Sequence, residues 1–401
     1  SLYCRKTTAE KRMSEAKKTY LSKIQLKAEL DRCLNCKNQP CMHACPVNCN
    51  PQEFINHAKQ GAYGEAVKTI TRTNPMGQTC GLICPDKFCM QACTRSRIDF
   101  AVNIPKVQAT ILENFRNDGE DYSQTKPKGK NVAVIGAGPA GIAAASLLAK
   151  SGYEVNIFEA GNQIGGALNM IPDARLPHDV IEKDWKFISN TPLIRLHLNA
   201  RVGDVRPLLM QYDGVIIATG EPNTAQLNIE GEELCLSHME YLHHPERYAT
   251  SGRVAVIGGG NVAADCAFTA AQNGAEQVEM FVRRRLSDMK ISKTEYLELL
   301  YHQINISPLC SPEKIEKHDD GLLLQTHRNR YDNGKTEPLP DSSVRLPGFA
   351  LIIKAVGSYA DDKIEDERII YAGDCKTGGS TIVEAIASGR TAAAMLAEKL
   401  G

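Results

Sequence analysis

Ten of the chain's 14 cysteines lie before residue 94, and eight of those fall into two groups. Cys33, Cys36, Cys41 and Cys45 are spaced C-x2-C-x4-C-x3-C with a Pro after the fourth, and Cys80, Cys84, Cys89 and Cys93 follow with a Pro after Cys84. Soft thiolates converging from short loops are what an iron-sulfur cluster requires. Pro after the last Cys is the ferredoxin pattern, in which that Cys serves a second cluster. Two groups imply two clusters. Structural zinc prefers two clean C-x2-C pairs and has no redox chemistry, and a disulfide framework belongs to small secreted chains. His43 and His57 read as plain polar residues, and Cys4 and Cys49 as ordinary thiols outside both groups.

A second chemistry starts at Asn131, where N-V-A-V-I is followed by G-x-G-x-x-G at Gly136, Gly138 and Gly141, with Pro139 and Ala140 between, and then by an Ala-rich helical pattern to Lys150. Gly136 permits a tight turn, Gly138 admits a pyrophosphate to the backbone N–H groups, and Gly141 lets helix and strand pack closely. The next strand, Glu154 to Phe158, ends at Glu159, whose carboxylate suits the two ribose hydroxyls of FAD or NAD(H) rather than NADP(H). Gly161, Gly165 and Gly166 add a turn that could lie against a flavin.

The pattern recurs from Val254 to Ala271, with Gly258, Gly260 and Ala263 in the fingerprint positions and Asn261 and Val262 opening the helix. Here the following strand, Val278 to Val282, ends in Arg283, Arg284 and Arg285. Guanidinium groups at the adenosine ribose pair with a 2'-phosphate, which points to NADP(H); arginines serving solubility alone are the bland alternative.

These sites need scaffolds. Thr7 and Glu10 are spaced as a capping box, and Met13, Ala16, Tyr20, Ile24 and Ala28 recur at helical spacing. Short helices are expected at Pro51 to Gly61, Tyr63 to Thr71 and Lys106 to Phe115, with a polar linker at Thr125 to Lys130. A buried strand at Val215 ends in the Gly220 turn, and another runs from Phe349 to Val356. The tail from Ile369 offers a strand, Gly373 and Asp374, and a long helix starting near Thr381, so it completes the first nucleotide domain around an inserted second one. The expected fold is α/β: two nested Rossmann-like (FAD/NAD(P)-binding) domains preceded by an α-helical iron-sulfur domain. Its boundaries are 1–125 for the clusters, 126–221 with 358–401 for FAD, and 222–357 for NADPH.

Lys plus Arg equals Asp plus Glu at 47 each, so no net field recommends nucleic acid or an anionic membrane. No apolar run approaches the roughly 18 residues of a membrane span and no charged-then-apolar leader opens the chain, which reads as cytoplasmic. Ser1 in place of an initiator Met fits a processed chain or a segment of a longer polypeptide.

With the cysteines, both fingerprints and the tail together, nearly the whole chain resembles the family of the NADPH-dependent glutamate synthase small chain and the N-terminal half of dihydropyrimidine dehydrogenase. Larger proteins named selenate reductases carry a similar segment. The resemblance implies that ligands interleave: Cys33, Cys36, Cys41 and Cys93 for one 4Fe-4S cluster, and Cys45, Cys84, Cys89 and Gln108 for the other. Cys80 has a counterpart in the family that is not a ligand. The resemblance also implies FAD at Gly136 to Gly166 and Asp374, and NADPH at Gly258 to Arg284. Two departures stand out. The stretch between Gly357 and Ile369 is shorter than is usual, and within these residues no flavin-barrel or ferredoxin-like extension supplies a site for an organic substrate.

The expected function is an electron-entry module, from NADPH through FAD and two clusters to a partner subunit or fused domain, with no acid-base residue needed at the hydride step. A disulfide reductase would need a redox-active pair, and Cys235, Cys266, Cys310 and Cys375 contain no C-x-x-C. The same motifs would also serve electron flow in the reverse direction, from ferredoxin to NADP, or a non-catalytic sensor or scaffold that binds the cofactors without turnover.

Overall fold

In the computed structural model, residues 20–117 and 119–401 are described. Thr7, Glu10, Met13 and Ala16, the first part of the expected N-terminal helix, lie outside them, as does Cys4. The helix described there is Lys23–Asp31, closed by a capping box between Ser22 and Gln25. Its buried side chains are Leu26 and Leu30, whereas Ile24 is 83% exposed. The expected stripe through Ile24 and Ala28 is therefore rotated: Leu26 and Leu30, not Ile24 and Ala28, meet the core.

Pro51–Lys59, Tyr63–Thr71, Gly77–Ile83 and Ile104–Phe115 complete the helical N-terminal region. Asn50 and Asn103 cap two of these helices with their side chains, each followed by a Pro in the first turn, which fixes where the chain turns into helix. Phe54, Ile70, Met76, Val107 and Ile111 are fully buried between them. A Cβ on Gly81 would stand 2.7 Å from the Pro105 carbonyl oxygen, so Gly77–Ile83 and Ile104–Phe115 meet backbone to backbone. That close approach brings the cysteines of one helix and its following loop beside Gln108 on the other.

The first nucleotide domain is a five-stranded parallel sheet in the order Ile369–Tyr371, Gly214–Ile217, Asn131–Ile135, Glu154–Phe158, Ile194–His197. Asn131–Ile135 sits at its centre, buried from Val132 to Ile135. The final helix, Ile382–Leu400, packs on Pro139–Lys150 so tightly that a Cβ on Gly389 would lie 2.0 Å from the Ala140 carbonyl oxygen.

The chain leaves this domain through Asn223–Thr224 and returns through Ser358–Tyr359, which pair antiparallel. The residues between build a second sheet, ordered Cys310–His318, Gly321–Asp332, Val344–Lys354, Arg253–Ile257, Gln277–Val282, Asn305–Pro308. Its three long antiparallel strands carry few fingerprint residues, and the sequence pattern marks only the end of the third, which starts at Val344 rather than Phe349.

One apolar core runs unbroken from Leu26 and Phe54 of the helical region to Val132 and Ile386 of the first nucleotide domain, whereas the inserted domain has cores of its own around Val256, Met280 and Leu299 and around Leu324 and Phe349. Two of the three parts are thus packed as one body, and the third keeps separate cores, joined by a two-stranded ribbon and by Met170, which packs against the core around Val256.

Candidate functional site

Cys33, Cys36, Cys41 and Cys93 line a single cavity together with Pro40 and Ile55. They come from a loop, the start of Pro40–His43 and the end of the Cys84–Cys93 loop, and are distant in sequence by up to sixty residues. Among the described residues no three His, Cys, Asp or Glu side chains close on one ion position. Thiols spread around a cavity wall fit a cluster of several irons better than a single tetrahedral ion.

A second set gathers deeper. Cys84 is hydrogen-bonded to Cys80, and Cys45, Cys80 and Cys89 all act electrostatically on it. Cys49 and Cys80 are each 3% exposed. The Gln108 amide lies against this set: its Nε2 donates to the Gly77 carbonyl oxygen at 2.6 Å and its Oε1 accepts from the Cys49 thiol at 3.8 Å. Cys49, read as an ordinary thiol from sequence, is thus in contact with a candidate ligand. Burial pushes the Cys41 thiol up to about 11 and raises Cys45 and Cys89; Cys84 is raised first by its bond to Cys80 and then by burial. Such thiols are neutral without metal, so loading iron expels protons and couples folding to the cluster.

The nucleotide sites share one cleft. One wall holds Glu159, Gly166, Gly220 and Asp374, and the other Gly258, Gly260, Asn261, Val262, Arg283 and Arg284. Glu159 accepts the N–H groups of Ala137 and Gly161 at 2.8 Å each, which ties the carboxylate between the two Gly-rich turns and leaves further lone pairs for ribose hydroxyls. Gly136 takes φ +105, and a Cβ there would meet the Ala218 carbonyl oxygen at 2.4 Å. A Cβ on Gly141 would stand 1.9 Å from the Gly136 carbonyl oxygen. Pro139–Lys150 and Asn261–Gln272 start at Gly138 and Gly260 with no side-chain cap. By contrast Asn50, Asn103, Ser237 and Ser292 cap their own helices. Both fingerprint helices thus leave their first N–H groups for an anion, as a pyrophosphate requires.

Asp374 is raised by burial and accepts from the Ser380 hydroxyl at 2.5 Å. Gly373 packs on Ala140, where a Cβ would come within 2.8 Å of the Ala140 methyl. The Thr381 hydroxyl instead donates to Glu384 at 2.6 Å, closing a cap on its own helix. On the other wall Arg283 and Arg284 are exposed toward the cleft. Arg285 is occupied: it pairs with Asp288 at 2.7 Å and lies 3.6 Å over the Tyr331 ring. Only the first two arginines of the run remain for a ligand.

Residues 130–368 match the pyridine nucleotide-disulphide oxidoreductase family. The chain belongs to that family. Residues 9–120 match dihydropyrimidine dehydrogenase domain II, the 4Fe-4S cluster domain, so this oxidoreductase carries an iron-sulfur domain ahead of its nucleotide domains. It is 28% identical over 429 residues to the glutamate synthase [NADPH] small chain of Escherichia coli, covering 93% of this chain and 91% of that one. It is 30% identical over 386 residues to a homologue of the NAD-dependent dihydropyrimidine dehydrogenase subunit PreT from Salmonella typhi, covering 91% and 92%. In fold it is similar to FprA of Mycobacterium tuberculosis, whose structure was solved with NADPH, at TM-score 0.57 and 19% identity over 69% of this chain and 85% of that one. The oxidoreductase is thus an NAD(P)H-dependent iron-sulfur flavoprotein. In the nucleotide domains Cys266, Cys310 and Cys375 are buried on separate elements. Among the described residues no helix is long and apolar enough to cross a membrane.

Two groups that organise the site carry no signal in the sequence. Arg175 bonds Asp265 and Glu295 between the two nucleotide domains, and Asp184 bonds Arg116 and the backbone of Gln78 and Thr79. No local pattern marks them, because each partner is contributed by a different domain.

Proposed function

We propose that the chain is an electron-entry module: it takes hydride from NADPH at the second fingerprint and hands single electrons to a partner subunit or fused catalytic domain. The observation that carries this is the shared cleft, with Glu159 at the end of one second strand and Arg283 and Arg284 at the end of the other. An acid suits the unphosphorylated ribose of FAD, and two arginines suit the 2'-phosphate of NADPH. When bound, the flavin splits a hydride's two electrons into single ones and the clusters carry these singly. The working division is 1–125 for the clusters, 126–221 with 358–401 for FAD and 222–357 for NADPH, in a cytoplasmic protein.

In this reading Cys33, Cys36, Cys41 and Cys93 hold one cluster, and Cys45, Cys84 and Cys89 hold the other with Gln108. Lys87, inside the Cys84–Cys89 loop, reaches Glu384 of the final helix at 3.7 Å, so the second set lies toward the flavin domain. Cys36 and Cys93 also line a surface cleft with Lys37 and Arg97, so the first set lies toward a partner. One observation favours a variant of the ligand set: Cys80 is bonded to Cys84, while both ends of the Gln108 amide are engaged by Gly77 and Cys49. Separate Gln108→Ala and Cys80→Ser changes discriminate the two, since only loss of the true ligand alters the second cluster's spectrum.

The test of function is steady-state turnover of the purified chain with NADPH. It should reduce ferricyanide, and should neither form glutamate nor reduce pyrimidines unaided. Direct turnover of either natural substrate by this chain alone would refute the module reading, and no NADPH oxidation with any acceptor would leave a scaffold in its place.

A further inference from the structure

Arg175 lies in the loop before His178–Ile188, in the first nucleotide domain. Its guanidinium crosses to the inserted domain, donating through Nη1 to Asp265 and through Nη2 to Glu295 at 2.8 Å. Both carboxylates are almost wholly enclosed, at 8% and 9% side-chain exposure, and Arg175 retains 22%. Asp265 belongs to Asn261–Gln272, the helix whose uncapped start lines the second nucleotide site. Glu295 belongs to Lys293–Tyr301, where its Oε2 also accepts the Ser292 N–H at 2.7 Å. With the Asn261 amide turned so that its nitrogen donates, Asn261 bonds the Lys290 carbonyl oxygen at 2.7 Å and Glu295 Oε2 at 3.2 Å.

A bonded chain therefore runs from Arg175 through Glu295 to Asn261, the first residue of the nucleotide helix. The inserted domain otherwise keeps its own cores and joins the rest through the ribbon of Asn223–Thr224 and Ser358–Tyr359 and through Met170, which packs against the core around Val256. A ribbon of two short strands and one apolar side chain have no directional hold on the angle, and a planar, two-pronged cation between two enclosed carboxylates supplies it. We propose that Arg175 is a positioning residue for hydride transfer: it holds the inserted domain at the angle that brings the nicotinamide of the bound nucleotide to the flavin.

The inference rests on the reading of the two sites as NADPH and FAD sites. The reaction served moves one hydride, two electrons with one proton, from nicotinamide to flavin, and consumes nothing else. Because Arg175 touches neither nucleotide site directly, its loss should act on the rate of transfer rather than on ligand binding. A displacement of about an ångström between reacting atoms costs up to about a hundredfold in rate.

The experiment is anaerobic stopped-flow reduction of the flavin by NADPH in the holoprotein, following flavin bleaching, for the parent, Arg175→Ala and Arg175→Lys. Arg175→Ala should lower the limiting rate by about ten- to a hundredfold. Its NADPH dissociation constant should stay within about threefold, and its flavin and iron content and its reduction by dithionite should match the parent. Arg175→Lys, which keeps the charge but reaches one carboxylate, should recover part of the rate. A limiting rate within about twofold of the parent overturns the proposal, and so does a loss explained entirely by missing flavin or by weaker NADPH binding. If Arg175→Ala fails to fold, Glu295→Gln decides: removing one arm should slow reduction severalfold, and an unchanged rate counts against the proposal. A parent that NADPH does not reduce at all would instead refute the underlying functional reading.

Discussion

The carboxylate of Asp184 accepts the backbone N–H of Thr79 at 2.8 Å, so the helix that delivers Cys80 and Cys84 begins on a side chain of the first nucleotide domain. The same carboxylate bonds Arg116, and Arg116 donates to Gln78 at 2.7 Å. Asp184 is fully buried, and that burial raises its carboxyl even though Arg116 and Thr79 pull it down. A charge kept at that cost ties the helical N-terminal region to the first nucleotide domain.

Asp184→Ala should therefore destabilise the joined body by about 3–5 kcal/mol, because Arg116 is left enclosed without its anion. Chemical denaturation of the holoprotein, with iron content followed across the transition, measures it. A loss below about 1 kcal/mol would mean that the shared apolar core alone fixes the junction.

The cluster assignment predicts a count and a separation. Anaerobically prepared protein should contain about eight irons as two 4Fe-4S clusters. Cys36→Ser should remove one paramagnetic signal and Gln108→Ala should perturb the other; loss of the same signal in both would break the interleaved assignment.

Nucleotide choice follows from Arg283 and Arg284, since Arg285 is held by Asp288 and Tyr331. A charge-assisted pair is worth about 1.5–3 kcal/mol, so Arg283→Ala or Arg284→Ala should lower kcat/KM for NADPH by about ten- to a hundredfold with little change for NADH. Equal losses with both nucleotides would place the arginines on the pyrophosphate instead.

Asp265 should make stability fall as pH rises. Burial, opposed by Arg175, lifts its carboxyl to about 6 from the ordinary 3.8. Its contribution is complete below the unfolded value and is lost as pH climbs through 6, on the order of 2–3 kcal/mol. Asp265→Asn lacks this penalty, so its stability relative to the parent should improve between pH 4 and 7. A gap that does not change over that window would show that Asp265 titrates normally.

The nucleotide folds were legible because their signals are local: Gly136, Gly138 and Gly141 must follow a strand and open a helix, and Glu159 or Arg283 must end the next one. The cysteine spacing was legible for the same reason, and the thiols of Cys33, Cys36, Cys41 and Cys93 do line one cavity. Arg175, Asp184 and Cys49 were not, because a domain contact has no period and no motif. Ile24 misled because its spacing was helical while its surroundings were water. The long strands from Cys310 to Lys354 were hidden by polar residues on their exposed faces.

In the proposed module, electrons taken from NADPH leave through the clusters. NADPH-driven reduction of ferredoxin, a one-electron protein acceptor, in the parent and in Cys36→Ser decides whether they do. The flavin of Cys36→Ser should still bleach at the parent rate when mixed with NADPH, while ferredoxin reduction falls by about tenfold or more. Ferredoxin reduction at the parent rate, in a protein shown to lack that cluster, would mean that electrons leave the flavin by another route.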